Sequence, residues 1–263
     1  MRTLLKIGGA ALERTEARAA LAASIASARA AGHEIVVLHG GGNQIRSLSS
    51  GLGIEAEYLE GLRVTDGATA EVVLAAVAGT VGKHLVASLG AAGVAAIGLC
   101  GADASLFQVS PHPDRRLGYV GLPVSVNGRA LEALLAAGLL PCVGCVAPLA
   151  PDAEGPRDHL YNVNADDVAL PLAKAFGAEA LLFLTDVPAV LDSEGERIVE
   201  LDGTGAEALR SDGVIAGGMI PKVRAGLDAA TALPGTLVKI APAAGPDAVL
   251  AALSDDVGTT FHP

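Results

Sequence analysis

Apolar positions along the chain fall into short unbroken runs that alternate with Ala- and Leu-rich amphipathic stretches. Runs of strand length lie at residues 4–7, 34–39, 94–99, 141–147, 180–185 and 235–240, with an extended segment at 119–126. Helical spacing marks 15–31, 44–52, 69–89, 128–137, 164–176 and 222–233. Several of these stretches stop at a glycine: Gly32, Gly90, Gly138 or Gly177. Continuous apolar strands separated by helices predict βαβ units and a mainly parallel sheet covered on both faces. Ligands of such sheets sit at the carboxyl ends of the strands, so the segments just after each strand are where chemistry is expected.

Composition sharpens this picture. Hydrophobic residues make up 51% of the 263, charged ones 18% and aromatics 3%, so the core must be aliphatic and the chain is not disordered. Lys plus Arg is 18 and Asp plus Glu 29, a net charge of −11, which disfavours a nucleic-acid binder. Uncharged stretches at 85–102 and 133–150 reach the ~18 residues of a spanning helix. Glycines and prolines cut both (Gly90, Gly93, Gly98 and Gly101; Gly138, Pro141, Gly144 and Pro148), and each reads as a helix end, a turn and a buried strand. Residues 1–6 run straight into a strand pattern without the layout of a signal peptide. Cys100, Cys142 and Cys145 lie in apolar segments, and their odd, sparse count suits a reducing cytoplasm. Residues 148–158 predict a loop between two lobes of one sheet, about 1–155 and 156–263, and 192–202 a hairpin around Glu194-Gly195.

Candidate chemistry clusters after the strands. Lys6-Ile7-Gly8-Gly9 ends the first strand, where paired glycines expose amides and a lysine supplies charge for a phosphate; an ordinary strand-to-helix turn is the plainer reading. Gly40-Gly41-Gly42 follows the second strand and opens a helix, another anion-binding geometry. Neither turn has Rossmann or P-loop spacing. Arg63, among apolar residues, suits a carboxylate or a surface pair with an aspartate. In Asn162-Val163-Asn164-Ala165-Asp166-Asp167, Asn164 fits a helix cap and Asp166 either a dipole partner or an organiser of cations. Thr185-Asp186 ends a buried strand and turns at Pro188, where a nucleotide edge could rest. Lys222 stands at a helix start, where the dipole repels it, and that suggests a task. Cys142-Val143-Gly144-Cys145 is a lone C-x-x-C without a second pair, and the histidines show no ligand spacing; His39 is read as structural.

Together these blocks, with those at 61–66, 161–166, 184–191 and 217–223, resemble the amino acid kinase family over residues 4–223. Gly-Leu-Arg-Val-Thr-Asp at 61–66 and Asn-Val-Asn-Ala-Asp at 162–166 are similar to its branch that phosphorylates N-acetyl-L-glutamate. The resemblance implies a three-layer αβα sandwich with an open, mainly parallel sheet of roughly eight strands. It implies ATP-dependent phosphorylation of the side-chain carboxylate of N-acetyl-L-glutamate, in arginine biosynthesis. By the same resemblance Lys6 and Lys222 stabilise the transition state and Asp166 holds both lysines. Gly41, Gly42, Arg63 and Asn162 hold the acylamino acid. Gly9, Asp186, Val187, Pro188, Ala189, Val190, Leu191, Val214, Ile215 and Ala216 meet ATP. The substrate is already a carboxylate, so no general base is needed. Mg²⁺ dehydrates reluctantly and is expected on the ATP phosphates and water, with no protein ligand.

Three positions depart from the family pattern: Gly82 stands where Asn is usual, Ala102 where Lys or Gly is commoner, and Ala216-Gly217 where some members carry Thr-Asp. The first two leave the catalytic set intact. A kinase for a carrier-protein-bound aminoadipate or glutamate would want a basic docking surface, which the net charge disfavours. A non-catalytic amino-acid or nucleotide sensor would not need two lysines and Asp166. Arginine-inhibited members carry a helix before the first strand, so a first strand at about Leu4 leads to the expectation of a cytoplasmic homodimer without arginine control.

Overall fold

The computed structural model describes residues 1–245 and 247–263. In chain order the elements are β1 (Arg2–Ile7), α1 (Thr15–Ala30), β2 (Glu34–His39), α2 (Gly42–Gly51), β3 (Tyr58–Leu59) and β4 (Leu62–Arg63). A long helix, α3 (Gly67–Ala91), follows, widened to π geometry over Ala75–Val81. Then come β5 (Ala96–Cys100), β6 (Phe107–Pro111), β7 (Gly121–Val126), α4 (Gly128–Ala136), β8 (Leu140–Gly144), β9 (Val146–Ala147) and β10 (Tyr161–Asn162). The chain closes with α5 (Ala165–Phe176), β11 (Ala180–Thr185), β12 (Glu200–Leu201), α6 (Gly203–Ser211), α7 (Met219–Ala232), β13 (Leu237–Pro242), α8 (Ala248–Ala252) and β14 (Thr259–Phe261).

Eight strands form one sheet in the order β12-β14-β13-β11-β1-β2-β8-β5. The six from β13 to β5 are parallel; β14 runs antiparallel to β13, and β12 follows β14. Strands from the two halves of the chain meet at the β1–β11 ladder, so the sheet is continuous through the middle. Side chains alternate across β1: Leu4 joins the hydrophobic cluster on one face, Leu5 and Ile7 the cluster on the other. Lys6 therefore points to the Leu4 side.

The structure moves several predicted boundaries. The strand expected at 94–99 is Ala96–Cys100, and the run at 141–147 divides into β8 and β9. The segment at 119–126 is a strand only from Gly121, outside the main sheet and paired antiparallel with β6 across a bulge at Gln108/Val109. The tight turn around Glu194-Gly195 is present, closed by the Asp192 side chain, but β12 beyond it pairs with β14. Of the two spanning-length stretches, the first holds the end of α3 and β5 and the second the end of α4 and β8. Among the described residues α3 alone is long and apolar enough to cross a membrane by composition. Here it packs on α1, α2 and β5.

Candidate active site

The carboxyl edge of β1 and β2 carries two glycine turns that touch backbone to backbone. A Cβ on Gly9 would lie 3.1 Å from the Gly42 nitrogen and 3.4 Å from Gly41 Cα, so a side chain there would force main chain to move. Gln44 Nε2 donates to the Gly9 carbonyl at 3.2 Å and pins the turns together. The π stretch of α3 backs them: a Cβ on Gly41 would come within 3.2 Å of Val81 Cγ2.

Lys6 leaves β1 beside these turns and is only 5% exposed. Its Nζ lies 2.6 Å from Asp166 Oδ1. Asp166 sits in the first turn of α5, whose cap is Asn164, accepting from the Asp166 amide at 3.2 Å. The plain reading of Asn164 thus holds. Asp166 does more than face a dipole, because its other oxygen lies 3.9 Å from Lys222 Nζ. Lys222 is the fourth residue of α7, which begins earlier than the sequence suggests, at Met219. Burial and the nearby Lys6 push the Lys222 ammonium below its ordinary range, while Asp166 and Asp186 oppose that shift. One carboxylate shared by two cations leaves an excess positive charge at the edge of the glycine turns.

Arg63 closes the other side. The β3–β4 hairpin turns through Glu60 and Gly61, both at positive φ, and delivers an arginine that is 8% exposed. Its Nη2 donates to Tyr58 Oη at 2.6 Å, and its guanidinium stacks 4.9 Å from that ring. Nη1 is buried without a partner among the described residues. The alternative of an Arg–Asp surface pair does not form: Asp66 caps α3 by accepting from the Thr69 amide. Asn162 in β10 donates to Thr65 Oγ1 at 3.2 Å.

Lys6, Gly9, Gly41, Gly42, Arg63, Asn162, Asp166 and Lys222 all line one cleft of about 360 Å³. Two further polar residues on its wall, Arg46 and Tyr58, carry no motif. Arg46 is signalled only by its place one turn into the helix that follows the triple glycine. Tyr58 emerges only once the hairpin folds it back on Arg63.

Of the residues expected at ATP, Gly9 lies in this cleft and the others lie elsewhere, after β11 and before α7. Asp186, Pro188, Leu191 and Ala216 are exposed, and Val187 and Val214 are half-buried. Ala189, Val190 and Ile215 are core residues, and the Val190 amide is held by Thr259 Oγ1. Asp186 comes near enough to Lys222 to raise its proton affinity. No group of three or more His, Cys, Asp or Glu side chains among the described residues could hold a metal. Cys142 and Cys145 are buried free thiols pushed up to about 12 by burial.

Comparison with known proteins agrees with this geometry. Residues 1–238 match the model of the amino acid kinase family. The chain is 42% identical over 250 residues to an acetylglutamate kinase of Koribacter versatilis, covering 95% of this chain and 93% of that one. It is 41% identical to an acetylglutamate kinase of Solibacter usitatus over 98% of both chains. The crystal structure of smu.665 from Streptococcus mutans superposes with a TM-score of 0.82 at 26% identity, over 99% of this chain and 98% of that one. With sequence and architecture matched nearly end to end, and a lysine-bracketed carboxylate at the sheet edge, the chain belongs to the amino acid kinase family.

Proposed function

We propose that this enzyme transfers the γ-phosphoryl group of ATP to the side-chain carboxylate of N-acetyl-L-glutamate, a step of arginine biosynthesis. The observation that carries this reading is the Lys6–Asp166–Lys222 arrangement beside two amide-exposing turns, with a half-satisfied arginine across the same cleft. A carboxylate oxygen of the substrate attacks the γ-phosphorus; the new O–P bond forms as the bond to the ADP oxygen breaks. Charge moves toward the ADP oxygen while the transferring oxygens stay anionic. Positioning and charge neutralisation therefore provide most of the catalysis. Lys6, Lys222 and the amides of Gly9, Gly41 and Gly42 supply it, and Asp166 fixes the two ammonium groups. Arg63 takes the substrate α-carboxylate with its free Nη1, and Asn162 orients the acylamino group.

The first half of the chain binds the amino acid and a second subunit in a cytoplasmic homodimer. The second half binds ATP along Asp186–Leu191 and Val214–Ala216. Mg²⁺ would be carried by the ATP phosphates and would offset their charge, which suits a cleft that offers lysines and amides and whose Asp166 is taken by cations. A coupled assay of ADP release tests the reading, with N-acetyl-L-glutamate against glutamate, aspartate and carbamate. Turnover with N-acetyl-L-glutamate alone is the expected result; preference for an unacylated acid would overturn it.

A further inference from the structure

His39, the last residue of β2, is wholly buried and has no part in the transfer described above. Its Nδ1 lies 3.1 Å from the Gly40 carbonyl oxygen. A carbonyl only accepts, so Nδ1 carries the proton, and Nε2, buried without a partner among the described residues, carries the lone pair. Burial pushes the ring down to about 4 against the Gly40 hydrogen bond, so it is neutral at physiological pH. Backbone crowds it from behind: a Cβ on Gly82 would lie 3.4 Å from Nε2, and one on Gly144 3.5 Å from Cε1.

The Gly40–Gly41 peptide is trans, since no cis bond occurs among the described residues. In a trans unit the C=O and N–H point in opposite directions. The imidazole holds the oxygen on its own side, so the Gly41 N–H is turned the other way. That N–H meets no backbone acceptor among the described residues, and Gly41 lines the cleft beside Lys6.

We propose that His39 is a positioning residue for phosphoryl transfer: its Nδ1–H clamps the Gly40 carbonyl and so aims the Gly41 amide at the transferring phosphoryl oxygen. A preset donor costs no reorganisation when charge develops, which is where such donors gain their value. This inference rests on the kinase reading. It also gives the residue read from sequence as merely structural a part in the rate.

Substituting the two ring nitrogens separately tests it. Asn places its amide nitrogen where imidazole has Nδ1; Gln reaches the Nε2 position instead; Leu offers neither. His39→Asn should keep kcat within about threefold of wild type, whereas His39→Gln and His39→Leu should lose roughly 10- to 100-fold, below the loss from deleting a donor outright. The KM values for both substrates should stay nearly constant across the series, and thermal unfolding should place Asn and Gln alike. Equal kcat for Asn and Gln would overturn the clamp, and so would an unimpaired His39→Leu. Should His39→Leu fail to fold, the Asn–Gln pair still decides. Nitrogen-15 spectra of the wild-type histidines give a readout independent of turnover: His39 should show the Nδ1–H tautomer from about pH 5 to 8. An Nε2–H tautomer would sink the clamp even in an active enzyme. A wild type that turns over no acylated glutamate would instead count against the kinase reading.

Discussion

The two sides of the carboxyl edge are built by different rules. At β1 and β2 the chemistry lies in buried side chains and pinned amides, with Lys6 and Asp166 at 5% and 7% exposure around a shared charge. After β11 the strip assigned to ATP sends Ala189, Val190 and Ile215 into the core and leaves an open edge of Asp186, Pro188, Leu191 and Ala216. The first region acts through particular functional groups, so removing one strands another. The second can hold a nucleotide mainly by main chain and shape, so its side chains are exchangeable. A buried charge without its partner is far more costly than an altered loop side chain.

The comparison breaks or sharpens under mutation. The largest effect is expected at the lysines. Lys222→Ala should lower kcat by roughly 10²–10³ with ATP affinity largely kept, because the role proposed for the ammonium is to meet charge that develops during transfer. Unchanged kcat with weakened ATP binding, read by steady-state kinetics and calorimetry, would remove it from the transfer step. Next is Arg63→Lys, which keeps a charge but loses the fork that holds Tyr58 with one nitrogen and leaves Nη1 for the proposed substrate carboxylate. It should raise the KM for N-acetyl-L-glutamate by about tenfold, or 1.4 kcal/mol, and leave that for ATP alone. An equal rise in both would mean that the hairpin shapes the whole cleft.

A gentler expectation concerns pH. Lys222 loses its proton below the ordinary lysine range, so the alkaline limb of kcat should begin there. Asp166 raises Lys222's proton affinity, so Asp166→Asn should move that limb further down; an upward move contradicts the assignment. The smallest effect is expected on the strip. Val187→Ala and Pro188→Ala should change the KM for ATP by less than about threefold, under 1 kcal/mol. A kcat loss there to rival Lys222→Ala would erase the distinction between the two sides.

Legibility in the sequence follows the same divide. Lys6 and the glycine turns can be found because parallel strands announce themselves as apolar runs whose ends carry the chemistry, and Asp166 because Asn164 marks the start of a helix just before it. The β3–β4 hairpin escapes because its turn is Glu60-Gly61, where Asn or Asp would be the usual signal before the glycine. Strand β14 is three residues long, and β6 contains a bulge and ends in Pro111, so neither shows a clean alternation. The π stretch of α3 leaves no composition mark at all, although it backs Gly41. His39 is visible in the sequence, but the direction of its Nδ1 proton depends on burial and on one carbonyl.

The contact between Tyr58 and Arg63 has an optical consequence. The chain contains no tryptophan and three tyrosines. Tyr119 and Tyr161 stack edge to face with ring centres 5.5 Å apart, and Tyr161 is fully buried. Tyr58 is 46% exposed, with its hydroxyl on the guanidinium. On the function proposed above, a carboxylate taken by Nη1 changes the charge on the same guanidinium whose Nη2 the phenol contacts. Intrinsic tyrosine emission should therefore change on substrate binding, a gauge of cleft occupancy free of dye, label or coupling enzyme.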